Sequence, residues 1–187
     1  MDNPTTFAIQ VNDSDTYKFY VINDNGEEVT MIMDRNLGSQ VEWISNTDYG
    51  CEYAWQSIND KGPITALKEL KTRTSTWINI PERVYTYSDD GGGNKYENFT
   101  EISRARILRY EEAKNLISIG NGIMPKWLSI NLSVENTYDK PYGYWTTGAD
   151  KSQSGTAYVV YHNNWLTNAP IYYNIENGIR PVITIKK

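Results

Sequence analysis

Residues 144–185 place the tightest constraint on the fold, because strand-forming blocks there enclose a segment of quite different character. The outer blocks are Gly143-Tyr144-Trp145-Thr146 and Arg180-Pro181-Val182-Ile183-Thr184-Ile185, and Ala157-Tyr158-Val159-Val160-Tyr161 lies between them. β-Branched and aromatic runs of this kind favour a pleated, buried surface. The enclosed segment carries Tyr158, Tyr161, His162, Asn163, Asn164, Trp165, Asn168, Tyr172, Tyr173 and Asn174. Flat rings with few rotatable bonds, set beside adaptable amides, are the composition of a contact surface. The outer blocks therefore read as core, with Tyr144 and Trp145 buried, and the middle reads as display. Alternation along 158–161 should turn one tyrosine inward and the other outward. Asn163-Asn164 suits a turn, and Trp165 beside it is the ring expected to meet a ligand. Pro181 has no N–H to donate, so it belongs at a strand start or on an unpaired edge.

A chain of 187 residues can build one domain with a genuine core, and no shift in composition marks a second. Its 15 Tyr and 6 Trp are the main apolar resource, although the mean hydropathy is only −0.61. A net charge of −5, with no basic stretch interleaved with aromatics, argues against a nucleic-acid partner. Cys51 is the single cysteine, so no internal disulfide or cysteine-rich metal site can form, and it reads as a buried, inert thiol. His162 is the single histidine and has no acidic neighbour in sequence, which suits a contact residue better than a base or a metal ligand. No apolar run is long enough for a membrane helix, and the first residues do not resemble a signal peptide; an export signal would lie outside this sequence. No cofactor is implied.

Further upstream, strand-like runs flank Asn25-Gly26 over residues 16–34, and Asn-Gly supplies the positive φ angles of a tight hairpin turn. The acids Asp24, Glu27 and Glu28 lack calcium-loop spacing. An irregular aromatic stretch with Trp43, Tyr49, Tyr53 and Trp55 follows. Pro63 opens a helix expected over 64–78, with Ile64, Leu67, Leu70 and Trp77 on its apolar face and Pro81 ending it. Residues 84–87 suit a short strand and 88–94 a flexible, solvated loop. A second helix is expected over 105–117, burying Ala113, Leu116 and Ile117, with Glu111 and Glu112 in its first turn. A short helical piece starts near Met124. Two helices bracketed by hairpins give an α+β domain.

Three motifs carry a resemblance. Ala105-Arg106-Ile107-Leu108-Arg109-Tyr110-Glu111-Glu112-Ala113 resembles the A-R-L-x-T-x-x-E-A helix start of the formylglycine-generating-enzyme-like branch of the C-type lectin fold. Tyr144-Trp145-Thr146-Thr147, followed by Gly178-Ile179-Arg180-Pro181-Val182-Ile183, is similar to that branch's Y-W-T-S … G-V-R-P-V-I signature. Asp34-Arg35-Asn36-Leu37-Gly38 matches the D-R-N-L-G that opens such domains in bacterial and phage surface proteins. The resemblance implies a single C-type-lectin-like domain with two main helices, short antiparallel sheets and paired N- and C-terminal strands, setting residues 17–22 beside 183–186. Arg109 departs from the pattern, since the usual Thr or Ser would supply a helix-capping oxygen. Arg180 is expected to hold loop carbonyls or a buried carboxylate, with Asp34 as its partner.

The enzyme of this branch needs a redox pair of cysteines, and its calcium-dependent lectins need Glu-Pro-Asn or Gln-Pro-Asp. Neither is present; Asn168-Ala169-Pro170 and Asn164-Trp165 lack the carboxylates. The resemblance therefore implies a non-catalytic recognition module: the variable, target-binding protein of a diversity-generating retroelement, or a related phage or cell-surface adhesin. It would bind a protein or glycan on a target surface through residues 158–176, outside the cell or on a virion, without nucleic acid and without membrane insertion. The alternatives are a formylglycine-generating-like enzyme with a non-standard site, or a structural pilus or tail subunit.

Overall fold

The alternating run beginning at Thr16 folds into the expected hairpin, β2 (Thr16–Asp24) and β3 (Glu28–Met33). At its turn only Gly26 takes a positive φ, +92°. Asn25 contributes differently, its Oδ1 accepting from the main-chain N–H groups of Glu27 and Glu28 at 3.0 and 2.8 Å. The computed structural model describes residues 4–119, 125–129, 131–132, 141–162, 165–172 and 176–187. Over these residues the protein is mixed α+β, mostly strand, with three helices and largely antiparallel sheets.

The first sheet runs β1-β2-β3-β10, where β1 is Thr6–Gln10 and β10 is Val182–Lys186. The closing strand pairs with β3, from Val182 opposite Ile32 to Lys186 opposite Glu28. This corrects the expected pairing of N- and C-terminal strands: residues 17–22 lie one strand away in β2, and β1 is on the far edge. The reason lies in burial. β3 is buried on both faces along most of its length, whereas β2 is exposed at both ends, so the apolar closing strand gains most beside β3.

The second sheet runs β8-β7-β6-β9: β6 is Gly143–Ala149, β7 Thr156–Tyr161, β8 Leu166–Pro170 and β9 Asn177–Gly178. Consecutive residues of β3, β6, β7 and β10 enter two different apolar clusters. Met31, Trp145, Val159 and Ile183 join Trp43 and Trp77 in one, while Ile32, Tyr144, Val160 and Val182 join Tyr20 and Trp127 in the other. Both faces of these strands are thus covered. Trp145 donates its indole N–H to Val41 O at 2.7 Å and Trp43 to Thr146 O at 3.0 Å, locking this sheet to the segment that follows β3. As expected, Pro181 immediately precedes β10, and its carbonyl accepts from Met33 N at 2.8 Å.

Helix α1 is the single turn Asn46–Tyr49, and α2 covers Ile64–Arg73, burying Ala66, Leu67 and Leu70. The expected extension to residue 78 is absent, so Pro81 does not terminate this helix. Thr74 stops it, its N–H and hydroxyl both reaching Leu70 O at 2.9 and 2.8 Å, and Trp77 is buried beyond the helix. Helix α3 is Tyr110–Ile119, starting later than expected, because 105–109 is extended and bridges to Val182 and Thr146. Its missing N-cap is replaced from elsewhere. Thr147 Oγ1 accepts from Tyr110 N at 3.2 Å, Asp90 from Glu111 N at 3.0 Å, and Glu112 reaches back to Arg109 N at 3.0 Å.

The 88–94 loop is consequently pinned. Asp89 accepts from Gly91 N, Lys95 N and Ala149 N at 2.9, 2.7 and 3.1 Å. Burial pushes the Asp90 carboxyl above its ordinary pKa despite the Thr147 and Glu111 donors. The loop is followed by a strand not anticipated, β5 (Phe99–Ser103), which pairs with β4 (Arg83–Tyr87). Cys51 is half-exposed rather than buried, its thiol 3.3 Å from Tyr53 O.

Candidate ligand-contact surface

The display segment is built on the β7–β8 hairpin. Because both faces of β7 are covered, the expected inward and outward tyrosines are both half-buried. Tyr158 stacks on Tyr110 of α3, with ring centroids 4.2 Å apart. Burial, helped by the Asp150 charge, raises its phenol to about 12. Tyr161 stacks on Tyr142 at 5.6 Å and donates its hydroxyl to the Glu176 carboxylate. His162 stands edge-on to Tyr142, 4.8 Å between centroids. Asn168 gives its amide N–H to Asp150, and Tyr172 packs against the larger apolar cluster. Trp165 alone of the described candidates projects, 66% exposed, while its carbonyl accepts from Tyr161 N at 2.8 Å across the turn. Asn163, Asn164, Tyr173 and Asn174 lie outside the described residues.

At the Thr156–Pro170 end of the hairpin, polar groups are fully engaged. Asp150 is buried, and its carboxylate accepts from Ser152 N, Ser152 Oγ, Thr156 Oγ1 and Asn168 Nδ2. Asn59 places its amide nitrogen among three carbonyls, those of Asp150, Gln153 and Thr156, at 2.9, 3.0 and 2.7 Å.

The other end differs. Glu176 O accepts from Tyr142 N and Gly143 N at 3.2 and 3.3 Å, which sets its side chain beside the two tyrosines. Burial, with Glu176 next in influence, raises Tyr142 to about 12; burial, with the Glu176 hydrogen bond, raises Tyr161 further. Both phenols therefore stay protonated donors at neutral pH. Beneath them Asn177 is 1% exposed, and among the described residues neither its Oδ1 nor its Nδ2 makes a hydrogen bond of good geometry; its amide lies near enough to the Tyr161 hydroxyl only to temper that phenol's rise slightly. His162 Nδ1 and Asn36 Oδ1 are also buried and unpaired. Each such group costs about 1–3 kcal/mol. Gly143 makes the crowding possible: a Cβ there would lie 2.4 Å from Asn177 Oδ1 and 3.2 Å from the Tyr161 ring.

Sequence reasoning missed Tyr142, Glu176 and Asn177. Glu176 had a signal, being the one acid after Asp150 in an otherwise neutral segment; Asn177 had none, because its isolation arises only from folding. A further exposed pair also went unassigned. Tyr53 and Trp55 are 51% and 69% exposed, with nearly parallel rings 6.1 Å apart. The 3-10 turn Ala54–Gln56 that carries them is fixed by Gln56 Oε1 accepting from Tyr53 N at 2.9 Å and by Ser57 Oγ donating to Ala54 O at 2.6 Å.

Arg180 proves structural. Fully buried, it donates to the carbonyls of Met33, Leu128 and Trp127 and lies over the Tyr144 ring. Asp34 instead pairs with Arg35 at 2.8 Å. No family model, curated protein or solved structure matches this chain. Among the described residues no helix is long and apolar enough to cross a membrane.

Proposed function

We propose that the protein is a non-catalytic recognition module of C-type-lectin-like fold, the target-binding variable protein of a diversity-generating retroelement or a related phage or cell-surface adhesin. It works outside the cell or on a virion and holds a protein or glycan of a target surface through the β7–β8 hairpin. The supporting observation is Trp165, a ring two-thirds in solvent whose main-chain partner across the hairpin, Tyr161, is itself held by stacking on Tyr142. A rigid exposed indole loses little entropy on binding and fills a partner's pocket well. The pinned Tyr53–Trp55 pair supports the same reading from a second loop.

The test is a binding screen of the purified protein on immobilised glycans and bacterial surface proteins, repeated with Trp165→Ala. The variant should lose at least tenfold in affinity, about 1.4 kcal/mol, with an unchanged melting temperature. A melting temperature lowered by several degrees would make Trp165 a packing residue and displace the site. A reverse-transcriptase gene beside the coding sequence, with a template copy of its 3′ end, separates the retroelement form of this reading from the adhesin form.

A further inference from the structure

We propose that the cluster of Tyr142, Tyr161, His162 and Glu176 is a subsite for an organic ammonium group. The inference rests on the recognition reading of this face and names the chemistry of what the face holds. Three aromatic rings meet here, with centroids 4.8, 5.6 and 6.4 Å apart and His162 nearly perpendicular to both tyrosines. Rings turned at right angles offer faces and edges to a shared corner, and a ring face attracts a cation through its quadrupole.

The carboxylate supplies the second, independent argument. Glu176 has phenols beside it but no lysine or arginine within ion-pair distance among the described residues. Phenol hydrogen bonds hold a carboxylate in place without neutralising it, so a negative charge half-buried among rings remains to be matched. The floor is unfinished in the same spot. Among the described residues Asn177, 1% exposed, makes no hydrogen bond of good geometry through its amide and reaches the Tyr161 hydroxyl only loosely, with His162 Nδ1 unpaired nearby. Unsatisfied buried groups of this density mark a place where packing has not been optimised for its own sake.

The unmatched charge decides between ligand classes. A neutral sugar would satisfy hydrogen bonds and stack on a ring, but it would leave Glu176 without a counter-charge. A metal ion would find one carboxylate and two protonated phenols, too few oxygens for a hard cation. An ammonium group answers both features, its charge to Glu176 and its C–H or N–H groups to the rings.

Two sources share this chemistry, a lysine side chain and a quaternary ammonium head. Titrations of the full-length protein by amide NMR with Nα-acetyl-lysine amide and with choline separate them, and 3,3-dimethylbutanol serves as the neutral isostere of choline. Saturable shifts of Gly143, His162 and Gly178 amides are expected with one of the two cations, at least tenfold weaker in Glu176→Gln and in Tyr142→Leu, and none with the isostere. Tyr142→Leu keeps the test open should Glu176→Gln fail to fold. Equal binding of the isostere or of a methyl glycoside, undiminished cation binding in Glu176→Gln, or no saturable cation binding overturns the proposal. If Trp165→Ala abolishes capture of a surface target while neither cation binds, the ammonium subsite falls and the recognition reading stands; if a cation binds through Glu176 and no surface target is found, the reverse holds.

Discussion

The two ends of the β7–β8 hairpin each hold one acid, and the acids are treated in opposite ways. Asp150 is buried and surrounded by donors from Ser152, Thr156 and Asn168, with Asn59 satisfying the carbonyls around it. Glu176 is half-buried beside rings, above an asparagine whose amide makes no hydrogen bond of good geometry among the described residues. A fully satisfied polar network rigidifies and specifies one structure, whereas a partly satisfied one costs stability and is retained where something else benefits. The first end therefore pins the hairpin, and the second is the one left for the binding role proposed above.

Substitutions that break this contrast should fall in a definite order. Asp150→Ala strips four donors of their acceptor in a buried place and should lower unfolding free energy by about 3–4 kcal/mol, seen as a reduced urea midpoint. Strong acid should loosen the same end. Burial alone would raise the Asp150 carboxyl, but the Ser152, Asn168 and Thr156 donors outweigh it and hold the group below the ordinary aspartate value. Its stabilising contribution is complete above the unfolded pKa of about 3.9 and is lost as pH falls through the lower folded value. Stability of the Asp150→Asn variant should accordingly show a shallower fall below pH 4 than that of the parent. Asn177→Ala, by contrast, removes an amide that makes no hydrogen bond of good geometry among the described residues, and its loss of a few methylene-sized contacts should be offset; a change within about 1 kcal/mol is expected. A fall as large as that for Asp150→Ala would show that the two ends are built alike. Trp165→Ala should move stability least, by no more than about 0.5 kcal/mol.

Local chemistry made part of this legible from the sequence. Asn25-Gly26 announced a hairpin, and the apolar blocks around Tyr144, Val159 and Ile183 announced the core, because period and β-branching act over a few residues. Long-range substitution hid the rest. Arg109 cannot cap α3, and beside the local Glu112 carboxylate the oxygens that do so, on Asp90 and Thr147, lie 20 or more residues away in sequence. The same Asp90 makes an acid- and glycine-rich loop ordered where composition argued for solvent. Within the candidate surface, rings were easy to nominate but their burial was not: Tyr158 is capped by Tyr110 and Tyr161 by Tyr142, neighbours that only the assembled sheet brings together. Asn168, read as a free amide, serves Asp150 instead.

Arg180 grips the backbone oxygens of Met33, Trp127 and Leu128 and, among the described residues, makes no ion pair with an acid. A clamp of that sort is blind to side-chain identity at the places it holds. Sitting just after the aromatic segment, it fixes where the polypeptide returns to the first sheet beside β3, whatever letters precede it. Substitution of side chains ahead of it should therefore leave Val182 opposite Ile32 and the closing strand in register.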